Sequence, residues 1–322
     1  MLPHRRRHPL GPSSLSITTS SHRTPDHPEH TMTTASLPAR DPAAQAAALV
    51  TTTWVKRHLA QSTPRVRLVE VDVDTKAYAA GHIPGSVALN WQTELQDQLT
   101  RDIVSKPAFE ALLSSRGIAR DDTVILYGDH NNWFAAYAYW LFKLYGHPDV
   151  RVMDGGRAKW LADDDAPLTV EPTATTPTRY TASAPDLSLR ARITDVLRAV
   201  DARSANLVDV RSADEYTGKV IAPPGMTETA QRGGHIPGAV SVPWSTAVQS
   251  DGTFKPLSEL RRIYLDAAGV DPARDTIAYC RIGERSSHTW FVLRELLGLS
   301  NVRNYDGSWT EYGSMVGVPI ER

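Results

Sequence analysis

Gly81-His82-Ile83-Pro84-Gly85-Ser86-Val87 returns as Gly234-His235-Ile236-Pro237-Gly238-Ala239-Val240, about one domain length later in a chain of 322 residues. Three more pairs keep the same order. Leu68-Val69-Glu70-Val71 matches Leu207-Val208-Asp209-Val210, Val124-Ile125-Leu126-Tyr127 matches Thr276-Ile277-Ala278-Tyr279, and Met153-Asp154-Gly155-Gly156 matches Tyr305-Asp306-Gly307-Ser308. Four ordered matches mark an internal duplication. The matched apolar runs read as short buried strands, and helix-like stretches lie between them, Trp133 to Leu144 in the first half and Ser287 to Leu297 in the second. That alternation predicts an α/β fold of two tandem domains, each a mainly parallel sheet flanked by helices.

The expected domains are 46–165 and 187–322, joined by an extended linker over 166–186 that is rich in Pro, Thr and Ala. Residues 1–45 are poor in large apolar side chains and rich in Pro, Ser, Thr and His, so they read as a disordered tail, with Met32 as an alternative start. Arg5-Arg6-Arg7 with nearby serines has some flavour of a transit peptide, but Pro3, Pro9 and Pro12 would break the helix such a signal needs. The formal net charge of -1 gives no reason to expect nucleic acid or an anionic membrane as a partner. No apolar run is long enough to span a membrane, and the expected location is the cytoplasm. A single cysteine excludes an internal disulfide and a multi-thiolate metal site, and no cofactor is called for. The oligomeric state is not encoded in any of these features.

That cysteine, Cys280, lies where a strand-like run meets a helix-like one, in Tyr279-Cys280-Arg281-Ile282-Gly283-Glu284-Arg285-Ser286-Ser287-His288. Gly283 supplies a tight turn and Ser286-Ser287 offer helix N-caps, so successive amide N–H groups are expected to converge on the sulfur. Those amides, the helix N-terminus and the guanidinium groups of Arg281 and Arg285 are expected to favour thiolate over thiol. In the first half the matching loop is Tyr127-Gly128-Asp129-His130, which lacks the thiol and carries an acid where the second has Arg281. The chemistry is therefore expected in the second half. Because His82 and His235 recur in both halves, they read as turn-forming residues instead of catalytic ones.

A thiolate cradled by amides can attack phosphorus or sulfur. Cysteine-based phosphatases place five residues between cysteine and arginine, whereas four separate Cys280 from Arg285, which suits a smaller cradle around one extra sulfur atom. No aspartic general acid for a leaving alcohol is identifiable near the loop.

The repeated turns, the paired α/β domains, the cysteine loop in the second domain only, and Asp306-Gly307-Ser308-Trp309 together resemble the tandem-domain rhodaneses, thiosulfate sulfurtransferases, over about Leu49 to Arg322. The loop looks especially like those of actinobacteria and archaea. The resemblance implies that Cys280 takes the sulfane sulfur of thiosulfate as a persulfide and passes it to cyanide or a thiol acceptor, with sulfite released. It further implies that Arg285 and Arg281 hold the sulfonate, while main-chain amides from Arg281 through Ile282, Gly283, Glu284 and Ser286 hold the persulfide. Arg232 is a candidate third positive charge at the cleft, and Trp244 and Trp309 are candidate apolar walls, with core packing as the competing reading. The chain departs from mammalian-type rhodaneses in having Ile282 where they have a basic residue and Glu215 where they have an arginine. Arg281 favours thiosulfate over 3-mercaptopyruvate, whose sulfurtransferases carry glycine there. A 3-mercaptopyruvate sulfurtransferase and a non-catalytic persulfide carrier are the alternatives.

Overall fold

A computed structural model describes residues 48–61, 65–225 and 228–322. The expected tail 1–45, with Met32 and the Arg5-Arg6-Arg7 cluster, lies outside the described residues. Two sheets carry the duplication. The first has the strand order β1-β5-β4-β2-β3, from β1 (Leu49–Val50), β2 (Val66–Asp72), β3 (Val87–Asn90), β4 (Thr123–Tyr127) and β5 (Val150–Met153). The second runs β7-β6-β8-β9, from β6 (Ala205–Asp209), β7 (Val240–Ser241), β8 (Asp275–Tyr279) and β9 (Val302–Tyr305). Every paired strand is parallel, and β2 and β6 hold the same place, one in from the edge, with matching neighbours. The apolar strands are buried because helices cover both faces of such sheets.

The repeated turns do the same structural work twice. His82 stacks on Tyr78 at 3.7 Å between ring centroids, with Nδ1 2.9 Å from the Tyr78 carbonyl oxygen. His235 stacks on Tyr216 at 3.6 Å, with Nδ1 2.9 Å from the Tyr216 carbonyl. Each histidine also bridges to chain that follows its own repeat, His82 to Thr169 and His235 to Glu321. Residues 167–186 are thus tied to the first half, and Tyr180 adds a 2.9 Å contact to the buried His147.

Among the described residues the largest apolar cluster runs through both halves, from Val69 and Leu126 to Cys280 and Leu293, and each half adds a smaller cluster of its own. The centre of the largest is the pair of duplicated helices. Ten of the twelve residues of Trp133–Leu144 are buried, as are all eight of Glu284–Phe291, and a helix buried all round must have partners on every side. Tyr139 meets Phe291 edge-to-face at 4.9 Å across this seam. The helix that follows the Cys280 loop therefore rests on the first half.

Candidate active site

Cys280 follows β8 directly, at the carboxyl end of a parallel strand, where loops of open α/β sheets gather. Its main chain is clamped by the segment after β9: the Cys280 N–H donates to Ser308 Oγ at 3.1 Å, Trp309 N–H donates to the Cys280 carbonyl at 3.0 Å, and Thr310 N–H donates to that of Arg281 at 3.0 Å. Ser308 adopts a left-handed φ of 52°, unusual for a residue with a side chain, and its hydroxyl is satisfied on both sides, donating to the Tyr305 carbonyl at 2.7 Å. Gly283 turns the loop with φ 102°, and a Cβ there would lie 2.8 Å from Asp306 Cα.

Around the sulfur, the Gly283 N–H donates to Sγ at 3.1 Å and the Ser286 main-chain N–H adds a second hydrogen bond. The thiol in turn points at Glu284 Oε2, 3.4 Å away. Burial pushes the Cys280 thiol up and the Glu284 carboxylate pushes it further, outweighing the pull of Arg285 and the two amides. The expected thiolate-favouring cradle is thus corrected: Cys280 has no exposed surface, and a carboxylate shares its pocket.

The arginines explain the rest of the correction. Arg285 is buried and forms a two-pronged pair with Glu215, each N–O distance 3.0 Å, while its Nε lies 3.7 Å from Glu284 Oε1. Glu215, at the position where the mammalian-type enzymes carry an arginine, also closes a capping box with Ser212. Arg281 donates to the Glu228 carbonyl, and Arg232 donates through Nε to the Gly313 carbonyl at 3.0 Å. The side chain of Ile282 is packed into the shared core, and the Ser286 hydroxyl bonds Asn304 Oδ1 at 2.7 Å. Trp309 is fully buried under Arg211 at 4.6 Å, and Trp244 packs on Trp133 at 5.0 Å, so both tryptophans serve the core. Ser286 and Ser287 are not caps, because the helix already starts at Glu284.

In the first half, Gly128 stands in place of Cys280 and the next amide, of Asp129, donates to Asp72 Oδ1 at 2.8 Å. That loop is filled by a carboxylate from the end of β2. Among the described residues no cluster of His, Cys, Asp or Glu is placed to hold a metal ion. Sequence reading missed Arg101 of the first half, whose guanidinium donates to the Ile282 carbonyl at 2.9 Å and the Asp306 carbonyl at 3.1 Å and pairs with Glu228 at 2.5 Å. No local pattern signals it, since its partners Glu228, Ile282 and Asp306 all lie in the other half of the chain.

The family model of the rhodanese-like domain matches residues 51–163 and again 193–315. The chain belongs to the rhodanese family. This rhodanese is 59% identical over 274 residues to a protein of Saccharopolyspora erythraea, covering 85% of this chain and 95% of that one. It is 54% identical over 277 residues to one of Haloferax volcanii, covering 85% and 96%. Both relatives bear the name "Putative thiosulfate sulfurtransferase". Among solved structures it resembles the 3-mercaptopyruvate sulfotransferase SseA of Escherichia coli, with TM-score 0.70, 27% identity and coverage of 81% and 98%. It also resembles EanB captured as a cysteine persulfide with ergothioneine, with TM-score 0.75, 25% identity and coverage of 86% and 71%.

Proposed function

We propose that this rhodanese is a thiosulfate sulfurtransferase working through a persulfide on Cys280. The observation that carries the reading is the sulfur's setting: a lone thiol at a strand end, held by the Gly283 and Ser286 amides, with a proton acceptor at 3.4 Å. In the first half-reaction the thiol proton passes to Glu284, the sulfur forms an S–S bond to the sulfane sulfur of thiosulfate, and the donor's own S–S bond breaks with its electron pair leaving on sulfite. In the second, cyanide or an acceptor thiolate attacks the outer sulfur and the Cys280 thiolate leaves. The amides that meet Sγ would then face the bound sulfur as well. Because Cys280 is fully buried, donor access requires the groups around it to part. The name carried by the close relatives supports thiosulfate as donor, as does Arg281; the likeness to SseA makes 3-mercaptopyruvate the donor to test against it. A cytoplasmic setting goes with this reading, since a persulfide needs reduced acceptors.

The test is mass spectrometry after thiosulfate treatment, with sulfite measured in parallel. One added sulfur on Cys280, one sulfite released per sulfur bound and neither in Cys280→Ser are expected. Persulfide acquired only from a partner protein, without sulfite, would make the protein a carrier. Faster turnover with 3-mercaptopyruvate than with thiosulfate would overturn the choice of donor.

A further inference from the structure

The Ile282–Gly283 peptide is held at both ends. Its N–H is the group that donates to Cys280 Sγ at 3.1 Å, and its carbonyl accepts from Arg101 Nη2 at 2.9 Å. In a trans peptide these two groups point in opposite directions, so a cation on the oxygen side and sulfur on the hydrogen side lie along one dipole. We infer that Arg101, supplied by the non-catalytic half, is a positioning residue that aims and polarises the peptide holding the sulfur anion.

Three observations show that Arg101 is built for this place. The residue adopts a left-handed φ of 58°, a conformation that persists only where the surroundings enforce it. Enforcement comes from the turn before it, where Asp97 accepts from the N–H groups of Leu99 and Thr100 and from the Thr100 hydroxyl, and the Asp97 carbonyl accepts from Arg101 N–H at 2.9 Å. The guanidinium then spends its donors on two carbonyls, Ile282 and Asp306, that belong to the two segments clamping Cys280. Glu228 balances its charge at 2.5 Å and also offers its carbonyl to Arg281. A charge-assisted hydrogen bond to the carbonyl strengthens the N–H on the same peptide as a donor, in the way linked hydrogen bonds reinforce one another. The first half thereby contributes to the chemistry although its own loop has no thiol.

The inference rests on Cys280 being the sulfur-carrying nucleophile, and its test is independent of the donor. Since the chain has one cysteine, the ultraviolet absorbance of thiolate, taken against Cys280→Ser, titrates Cys280 alone. The other charged groups around the sulfur remain in the variants: Arg281, Glu284 and Arg285 on its own loop and helix, Glu215 behind Arg285, and the Arg190–Asp306 pair behind Gly283. Arg101 borders an open cavity of about 370 Å³, so shortening it widens existing space without leaving a sealed void. In Arg101→Ala the titration midpoint is expected to move up, with the thiolate fraction at a fixed pH falling about tenfold, kcat falling in step, and Arg101→Lys lying between. An unmoved midpoint in folded Arg101→Ala overturns the inference. Should that variant fail to fold, Arg101→Lys and Arg101→Gln decide by the same readout. A shifted midpoint in a protein that takes no sulfur from thiosulfate would leave the role of Arg101 standing and sink the proposed donor instead.

Discussion

Arg285 shows how one side chain can be chemically suited to a task and structurally committed to another. Its sequence position beside Cys280 suggests an anion clamp, yet its guanidinium is matched on both prongs by the Glu215 carboxylate inside the protein. Burial pushes the Glu215 carboxyl up, but the hydrogen bonds and charge of Arg285 outweigh it and hold the group below its ordinary 4.5. A carboxyl depressed in the folded state contributes stability above its unfolded value, and that contribution is lost as the pH falls below 4.5. Truncating one member leaves the other charged and unpaired, which costs about 3–5 kcal/mol in buried pairs. Urea unfolding of Arg285→Ala at neutral pH is therefore expected to show a loss of that size, and the paired change Arg285→Met with Glu215→Leu a much smaller one. An Arg285→Ala protein as stable as its parent but poor with thiosulfate would return Arg285 to direct donor contact.

The loop and its helix show what was readable from the chain and what was not. Parallel pairing and the helix Trp133–Leu144 follow from apolar runs and their alternation, which are local signals, whereas the order of the strands within each sheet is not written in them. The start of the second helix was placed three residues late because Ser286 and Ser287 look like caps. In the folded protein they are buried inside the helix, the Ser286 hydroxyl donating to Asn304 Oδ1 and the Ser287 hydroxyl to the Gly283 carbonyl, each at 2.7 Å, so tertiary burial overrides their usual preference. Gly283 was legible as a turn, and Cys280 as the residue where strand gives way to helix. The roles of Glu215 and Arg101 were not, since each depends on a partner that only the folded chain brings near. Gly283 carries the element-level prediction. Adding a Cβ at φ 102°, with the Asp306 backbone in its way, is expected to cost roughly 1–3 kcal/mol and to displace the amide from the sulfur. Gly283→Ala should thus lower the urea midpoint and abolish persulfide formation. Normal stability with normal sulfur uptake would mean that the loop tolerates another turn.

At the scale of the whole molecule, the seam between the halves stores an acid sensitivity. His288 lies on the catalytic helix, stacked on Phe254 at 4.8 Å and edge-on to Trp244 at 5.4 Å; these two in turn touch the first half, Phe254 N–H through Asp154 and Trp244 through Trp133. Neither ring nitrogen has a hydrogen-bond partner among the described residues, and burial pushes the group down to about 3. Between 6.5 and 3 the unfolded chain binds a proton at this site that the folded chain does not, so stability falls as the pH is lowered through that window, by about 1.4 kcal/mol per pH unit well inside it. His147, lowered to about 4 by burial, acts in the same direction, whereas Asp72, raised to about 7, and Asp154, raised to about 6, have the opposite sign and mask the slope. The difference between two proteins removes those shared contributions. His288→Leu takes away two unpaired buried nitrogens for a side chain of similar size, so it is expected to gain about 1–2 kcal/mol at pH 7. Its advantage should then widen steadily on acidification below 6.5. Because the core is continuous across the halves, calorimetry should show one transition in both proteins, shifted as a whole. Parallel stability curves from pH 7 to 4 would remove His288 as the source, and two separate transitions would show that the halves unfold independently despite their common core.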